Sequence, residues 1–148
     1  MFKKVFIDSD VVISSLISSS GAANLLLSSI TNLKLYISNV SQKELIEVAD
    51  RLGLDQTELK NLLKRSFKKV YLKQQLKEIK VKYSEYIVDQ DDAHIIAGAK
   101  KAKANYLISY NTKHFKIDKI KEDFNIMVMA PANFLQYLRS IDLNKRLS

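Results

Sequence analysis

Side chains that carry oxygen ligands stand at four places close to the ends of apolar segments. They are Asp8 with Asp10, Glu44, the pair Asp91-Asp92, and Asn111. Carboxylates that crowd together cost free energy unless a proton or a cation joins them. Because the set offers carboxylate and amide oxygens and contains no Cys or His, it suits Mg²⁺ or Mn²⁺ better than zinc. These residues therefore predict a divalent-cation site, provided that the fold brings the four places together.

The elements that would position these residues alternate between strand and helix, which predicts an α/β fold with a parallel sheet covered on both faces. Strands are predicted at about 3–7, 33–37, 70–72, 106–109 and 126–129. Helices are predicted at about 10–17, 21–31, 40–51, 56–67 and 74–86, from Asp91 or Asp92 to Lys103, and from Pro131 onward, with 115–124 irregular or partly helical. Because parallel strands share one carboxyl edge, the four polar places are expected to meet there.

Three of these places also fit helix caps. Asp8 and Asp10 fit caps of the first helix, and the sequence from Ser41 to Glu44 fits a capping box. One member of the Asp91-Asp92 pair is expected to cap the following helix, which leaves the other as a ligand. Taken singly these alternatives stay open, and only the joint placement of the four places favours a metal site.

Asn111 and the two histidines have plain interpretations as well. Asn111 fits an ordinary turn. His94 is expected to pack on its helix, and His114 to lie in the loop that follows Asn111. Neither histidine has a Ser or Cys nucleophile context, and their spacing matches no zinc motif. We therefore expect no catalytic role for either.

The composition is that of a soluble globular protein. The 148 residues suit one domain, 1–148, and 47% of them are hydrophobic and 27% charged. No apolar run approaches the roughly 20 residues that span a bilayer, and the N-terminus does not resemble a signal peptide. The absence of cysteine excludes disulfides and thiolate metal sites, and a cytoplasmic location is expected.

Basic residues are concentrated in three stretches of a chain whose net charge is +8. Nine lie from Lys60 to Lys82, where Glu78 is the only acid. The other two stretches are Lys100, Lys101 and Lys103, and Lys113, Lys116, Lys119 and Lys121. Each stretch fits either a solvated helix face or a surface for nucleic-acid phosphates, and composition does not choose between them.

The order of these motifs resembles that of PIN-domain nucleases, in particular VapC-type toxins and their stand-alone relatives. The resemblance is carried by Val5–Leu16, Leu35–Ser38 with Glu44-Leu45, Asp91–Ala99, Asn105–Phe115 and Met127–Leu135. These segments extend over nearly the whole chain. The resemblance implies a three-layer PIN-like fold in which helices flank a central parallel sheet of about four to five strands.

The same resemblance implies a Mg²⁺- or Mn²⁺-dependent endoribonuclease that cleaves single-stranded RNA, as the toxin of a toxin–antitoxin pair. Its catalytic residues would be Asp8, Glu44, Asp92 and Asn111, and Asp10 would join the first three as a metal ligand. The implied partners are RNA, a small antitoxin protein and a second copy of the chain. An exposed tyrosine such as Tyr110 would offer a stacking face to a base.

Two positions depart from the family's usual pattern. Asp10 stands where Asn is usual, and Asn111 stands where Asp is frequent. We hypothesise that Asp10 partly replaces the negative charge that is missing at Asn111. The amide also keeps open a catalytically weak or inactive PIN fold that binds RNA or protein.

A different enzyme class also fits the first motif. In a haloacid-dehalogenase-type phosphatase, the sequence Asp8-Ser9-Asp10-Val11-Val12 would open the active site, with Asp8 as the nucleophile. The short chain, the order of the later motifs and the lack of a cap domain fit that class poorly. A receiver domain fits poorly too, because its phospho-acceptor should end a middle strand.

Overall fold

The structure, a computed structural model, describes residues 2–30 and 32–147. Within these residues five strands form one sheet in the order β3-β2-β1-β4-β5, and every neighbouring pair is parallel. The strands are β1 (Lys3–Ile7), β2 (Leu33–Ser38), β3 (Phe67–Val70), β4 (Tyr106–Ile108) and β5 (Met127–Met129). The predicted α/β fold with a parallel sheet is confirmed.

Helices cover both faces of this sheet in the described part of the chain. They are α1 (Ser9–Ile17), α2 (Ala22–Ser29), α3 (Asn39–Arg51), α4 (Gln56–Ser66), α5 (Leu76–Lys82), α6 (Ala93–Lys101), α7 (Ile117–Phe124) and α8 (Pro131–Leu147). Successive residues of a strand point to opposite faces. Val5 and Ile7 therefore pack in the core beneath α1 to α4 and α8, whereas Phe6 packs in the core beneath α5, α6 and α7.

Helix α6 lies very close to the central strand. A Cβ atom added at Gly98 would lie 2.5 Å from Cζ of Phe6, a residue that is fully buried. Such a distance is shorter than any real contact, so only glycine fits between this helix and the sheet. The lack of a side chain at Gly98 thus allows α6, whose first turn follows directly after Asp92, to lie close against the central strand.

Several element boundaries differ from the prediction. β3 lies at Phe67–Val70 and not at 70–72, because Phe67 turns out of α4 and packs against the core. The helix predicted at 74–86 ends at Lys82 and continues as a short 3₁₀ turn, Ser84–Tyr86. The segment 115–124, predicted as irregular or partly helical, does contain helix α7, which ends at a left-handed Asn125. The predicted end of the second helix at 31 lies outside the described residues.

No single helix in the described residues is long and apolar enough to cross a membrane. One bent pair, Ser9–Ile17 with Ala22–Ser28 at 99°, passes the same test by length and composition only.

Candidate active site

The fold brings the four predicted places to the carboxyl edge of the sheet. Asp8 follows β1, Asn111 follows β4, and Asp92 directly precedes α6. Glu44 lies in α3, the helix that follows β2. The charges of Asp10, Asp92 and Glu44 all raise the pKa of Asp8, which shows that the four acids share one electrostatic environment.

Asp8 is the most buried of these acids, with only 6% of its surface exposed. Burial is the largest cause that raises its pKa, to about 8, and the charge of Asp10 comes next. The hydroxyl of Ser109 opposes this rise by donating a hydrogen bond to Asp8 Oδ2 at 2.7 Å. Although Asp8 occupies the N-cap position of α1, its side chain makes no capping hydrogen bond. The cap interpretation of Asp8 is therefore wrong.

Asp10 contacts the loop that follows β4. Its Oδ2 atom accepts hydrogen bonds from the backbone N–H of Tyr110 and from Asn111 Nδ2, each at 3.1 Å. Its Oδ1 atom is buried without a hydrogen-bond partner. Burial raises the pKa of Asp10, and the backbone donors of Tyr110 and Val11 partly offset that rise. The two positions that depart from the family's pattern, Asp10 and Asn111, are thus direct neighbours.

Glu44 is held from both sides by residues of other helices. Its Oε1 atom accepts a hydrogen bond from Ser9 Oγ at 2.8 Å, and its Oε2 atom lies 3.2 Å from His94 Nε2. The hydrogen bond to His94 is the largest cause that lowers the pKa of Glu44. The capping-box interpretation is wrong, because Ser38 caps α3 by accepting the Ser41 N–H at 3.0 Å.

Asp92 and Asp91 point to different surroundings. The side chain of Asp92 is 22% exposed, and its Oδ2 atom lies 3.1 Å from His114 Nδ1. Burial raises the pKa of Asp92, and the charge and hydrogen bond of His114 oppose that rise. The side chain of Asp91 is 80% exposed and pairs with Lys80 at 3.3 Å. Of the two acids, Asp92 is therefore the one that belongs to the cluster.

The prediction that one of these two acids caps α6 is wrong. Asp92 occupies the N-cap position but makes no capping hydrogen bond with its side chain. Asp89 provides the local cap instead, because its Oδ1 atom accepts the Asp91 N–H at 2.9 Å at the start of the 3₁₀ turn Gln90–Asp92.

Comparison with known proteins identifies the family. A sequence model described as a PIN domain matches residues 4–113, about three quarters of the chain. The chain belongs to the PIN-domain family. No curated protein sequence matches it significantly.

Solved structures share the fold of this PIN domain at low sequence identity. A toxin–antitoxin complex from Klebsiella pneumoniae is 23% identical, with a TM-score of 0.61 over 86% of this chain and 97% of that one. VapBC-1 from nontypeable Haemophilus influenzae is 18% identical, with a TM-score of 0.58 over 87% and 98%. VapC20 from Mycobacterium tuberculosis, a toxin described as cleaving the sarcin-ricin loop, is 17% identical, with a TM-score of 0.51 over 70% and 86%.

The chemistry of the acids in this PIN domain fits a hard divalent cation. Asp8 and Asp10 form no ion pair with a basic side chain in the described residues, and Asp10 Oδ1 is buried without a partner. Each of these features is costly without a counter-charge. Nevertheless, no three His, Asp or Glu side chains in the described part already stand together as a metal-binding group.

Sequence reasoning missed four residues that contact the acids: Ser9, His94, Ser109 and His114. His94 was expected to pack on its helix and His114 to lie in a loop, yet each contacts one of the predicted acids. A local signal existed for Ser9, which lies directly beside Asp8. No local signal could have found the contact between His94 and Glu44, because the two residues lie far apart in the sequence.

Proposed function

We propose that this PIN domain is a Mg²⁺- or Mn²⁺-dependent endoribonuclease that hydrolyses phosphodiester bonds of single-stranded RNA. The observation that carries the proposal is the environment of Asp8. This carboxyl group is buried, no basic side chain of the described residues pairs with it, and the charges of Asp10, Asp92 and Glu44 raise its pKa. A divalent cation relieves that repulsion, so the cluster is suited to hold one.

Asp8, Asp10, Glu44 and Asp92 would hold the cation, and Asn111 would contribute its amide oxygen directly or through water. The chemistry that a bound divalent cation supplies is Lewis acidity toward phosphoryl oxygens and a more acidic water. No nucleophile from the protein is needed. The ligand oxygens themselves are held in place by hydrogen bonds from neighbouring side chains.

The chain's own residues orient the acids for this task. Ser109 fixes one oxygen of Asp8, and Ser9 and His94 each bond a different oxygen of Glu44. His114 contacts one oxygen of Asp92. Each carboxylate keeps lone pairs for a cation, because these hydrogen bonds occupy only part of its acceptor capacity.

RNA is proposed as the substrate for two reasons. The net charge of +8 favours a polyanionic partner, and Tyr110, which is 44% exposed beside Asn111, offers an aromatic face to an unstacked base. The toxins among the structural neighbours support a role as the toxin of a toxin–antitoxin pair. On that basis we also propose a small antitoxin partner, a homodimer and a cytoplasmic location.

A cleavage assay tests the proposal. Purified wild-type protein and Asp8→Asn are incubated with a structured RNA pool in Mn²⁺ or in EDTA, and a single-stranded DNA of matching sequence serves as the control. We expect cleavage of RNA by the wild-type protein in Mn²⁺ only, and none by Asp8→Asn. A covalent phosphate on Asp8, detected by mass spectrometry after trapping, would instead indicate the phosphatase mechanism.

A binding module without turnover is the second candidate. The observation that favours it is the lack, among the described residues, of a ready-made group of three metal ligands. The two candidates differ in one outcome. Retention of RNA by the wild-type protein without any cleavage in Mn²⁺ would favour the binding module.

A further inference from the structure

A cleft of about 400 Å³ on the α5–α6 side of the sheet gathers part of the positive charge. No Asp or Glu of the described residues lines it. The residues that matter here are Tyr71, Lys73, Lys82, Tyr83, Lys100 and Lys101, and we call this site the lysine cleft. Four cations therefore face one concave surface without a counter-charge in its lining.

The lysine cleft combines basic stretches that are separate in the sequence. Lys73 and Lys82 come from the first stretch, and Lys100 and Lys101 come from the second. Lys100 and Lys101 share one face of α6 with Ala97, because residues three and four apart are neighbours on a helix. Folding thus brings cations of both stretches to one surface.

The charges in the cleft are available to a ligand. Lys73 and Lys101 are exposed and form no ion pair in the part of the chain that the structure describes. Lys80, by contrast, lies outside the lysine cleft and pairs with Asp91 at 3.3 Å. Cations that no acid neutralises attract phosphate groups most strongly, because binding then breaks no existing ion pair.

Aromatic rings lie among these cations. Tyr71 is 56% exposed, and Lys69 Nζ lies 5.0 Å from the centre of its ring. The Nζ atoms of Lys82 and Lys100 lie 5.5 Å and 5.6 Å from the ring of Tyr83. Backbone-tracking cations beside an open aromatic face are the usual means of binding single-stranded nucleic acid.

Helix α6 connects the lysine cleft to the acids. It begins directly after Asp92 and ends at Lys101. At 1.5 Å per residue, the axial distance between these two residues is about 13 Å. An RNA whose scissile phosphate lies at the acids therefore needs only a few further nucleotides to reach the lysines.

We propose that the lysine cleft binds the phosphodiester backbone of the RNA substrate at nucleotides away from the scissile bond. The inference rests on the proposed function, because it concerns the RNA that the acids would cut. An acidic protein segment would satisfy the lysines as well. RNA is favoured because the open ring of Tyr71 offers stacking to a base, which an acidic side chain does not use.

The test is the salt dependence of RNA binding in EDTA, with Asp8→Asn as the parent so that no RNA is cut. Fluorescence anisotropy follows a labelled oligouridine of about 12 nucleotides, a length within the usual range of site sizes. In Lys73→Gln/Lys101→Gln we expect the negative slope of log K against log salt to decrease in magnitude by about 1.4, since each single-strand phosphate contact contributes about 0.7. Circular dichroism confirms that each variant is folded.

The matched control is Lys60→Gln/Lys64→Gln, which removes the same charge from exposed positions of α4 on the other face of the sheet. Its slope should stay within about 0.3 of the parent's, well below the 0.7 of one contact. An equal slope change in both pairs would overturn the proposal, since only net charge would matter. Tighter binding of a polyglutamate peptide than of the RNA, with the same dependence on Lys73 and Lys101, would overturn it in favour of an acidic protein.

The two proposals can fail separately. If wild-type protein cuts RNA in Mn²⁺ but the Lys73/Lys101 pair leaves the slope unchanged, the lysine cleft is not a substrate site and the nuclease proposal stands. If wild-type protein cuts no RNA while the slope falls as expected, the nuclease proposal fails and the cleft remains an RNA-binding surface.

Discussion

The acids of the candidate site fall into an inner pair and an outer pair that are stabilised differently. The inner pair, Asp8 and Asp10, follows the central strand and receives its hydrogen bonds from backbone N–H groups and neutral side chains. The outer pair, Glu44 and Asp92, lies at helices, and each member contacts a histidine. Burial raises the pKa of both inner acids and also that of Asp92, where His114 opposes the rise, whereas His94 lowers the pKa of Glu44.

If the site holds a cation as proposed, the two pairs would have separate roles in binding it. Burial makes the charged forms of the inner acids unfavourable. A bound cation would therefore lower their electrostatic free energy the most. The outer acids already contact histidines that orient them, so they would contribute mainly the ligand geometry, and of the two only Glu44 has a lowered pKa. The following predictions test this division, beginning with the largest expected effect.

Asp8→Asn should lower kcat for RNA cleavage by at least about 100-fold, because it removes the most buried charge of the cation site. The measurement is the rate of cleavage in Mn²⁺ under saturating RNA. The matched control is Asp91→Asn, which removes a neighbouring but exposed acid and should keep activity within about twofold, as expected for an exposed ion pair. Equal losses in both variants would contradict the proposed role of Asp8.

The same substitution should stabilise the metal-free protein. A carboxyl group whose pKa is raised from 3.8 to about 8 keeps its proton in the folded chain after the unfolded chain has released it. The free energy of unfolding of the wild-type protein therefore falls as the pH rises between these two values. In EDTA, Asp8→Asn should have a higher Tm than the wild-type protein at pH 8, and the difference should vanish near pH 4. A lower Tm at pH 8 would contradict this reasoning.

His94→Ala should weaken activation by Mn²⁺ by about 10- to 100-fold, because Glu44 then loses the partner that orients it. The measurement is the Mn²⁺ concentration at half-maximal cleavage. His94→Gln retains a hydrogen-bond donor and should recover part of the loss. Recovery would not occur if His94 only filled space in the core.

The charge at Asp10 and the amide at Asn111 should behave as a coupled pair. Asp10→Asn should weaken Mn²⁺ activation by about tenfold, and Asn111→Asp should place two carboxylates where a 3.1 Å hydrogen bond now lies. The exchanged double variant restores one charge and one amide, so it should lie within about threefold of the wild-type protein. If the exchanged variant is no better than Asp10→Asn, Asp10 does not compensate for Asn111.

His114→Ala should have the smallest effect, about twofold to fivefold on Mn²⁺ activation. The side chain of His114 is 46% exposed, and exposed charged pairs contribute little. Titration of cleavage with Mn²⁺ provides the measurement, with His94→Ala assayed beside it. A larger loss for His114→Ala than for His94→Ala would reverse the order that burial predicts.

The sequence alone predicted the fold and the convergence of the acids at one edge of the sheet, because both follow from local patterns. Apolar runs shortly before Asp8 and Asn111 identify strand ends, and parallel topology then places those ends at one edge. β3 was misplaced because Phe67-Lys68-Lys69-Val70 is an edge strand with two exposed lysines, and it lacks the apolar pattern of a buried strand.

Contacts between distant positions could not be predicted in the same way. The partners Glu44 and His94, and Asp10 and Asn111, are joined only by the packing of separate elements. The caps also differed from the local patterns. The side chain of Asp89, which no sequence pattern indicated, caps the 3₁₀ turn before α6. The side chain of Asp92 therefore makes no capping hydrogen bond.

The close packing of Gly98 against Phe6 affects the candidate active site and the lysine cleft together. Helix α6 carries Asp92 before its first residue and Lys100 and Lys101 at its end, and Gly98 leaves it no room to move toward the sheet. A larger residue at position 98 would move α6 away from the sheet and shift Asp92 and Lys101 with it. The proposed cation binding and the proposed RNA binding would then weaken together. A substitution at position 98 would therefore affect both properties.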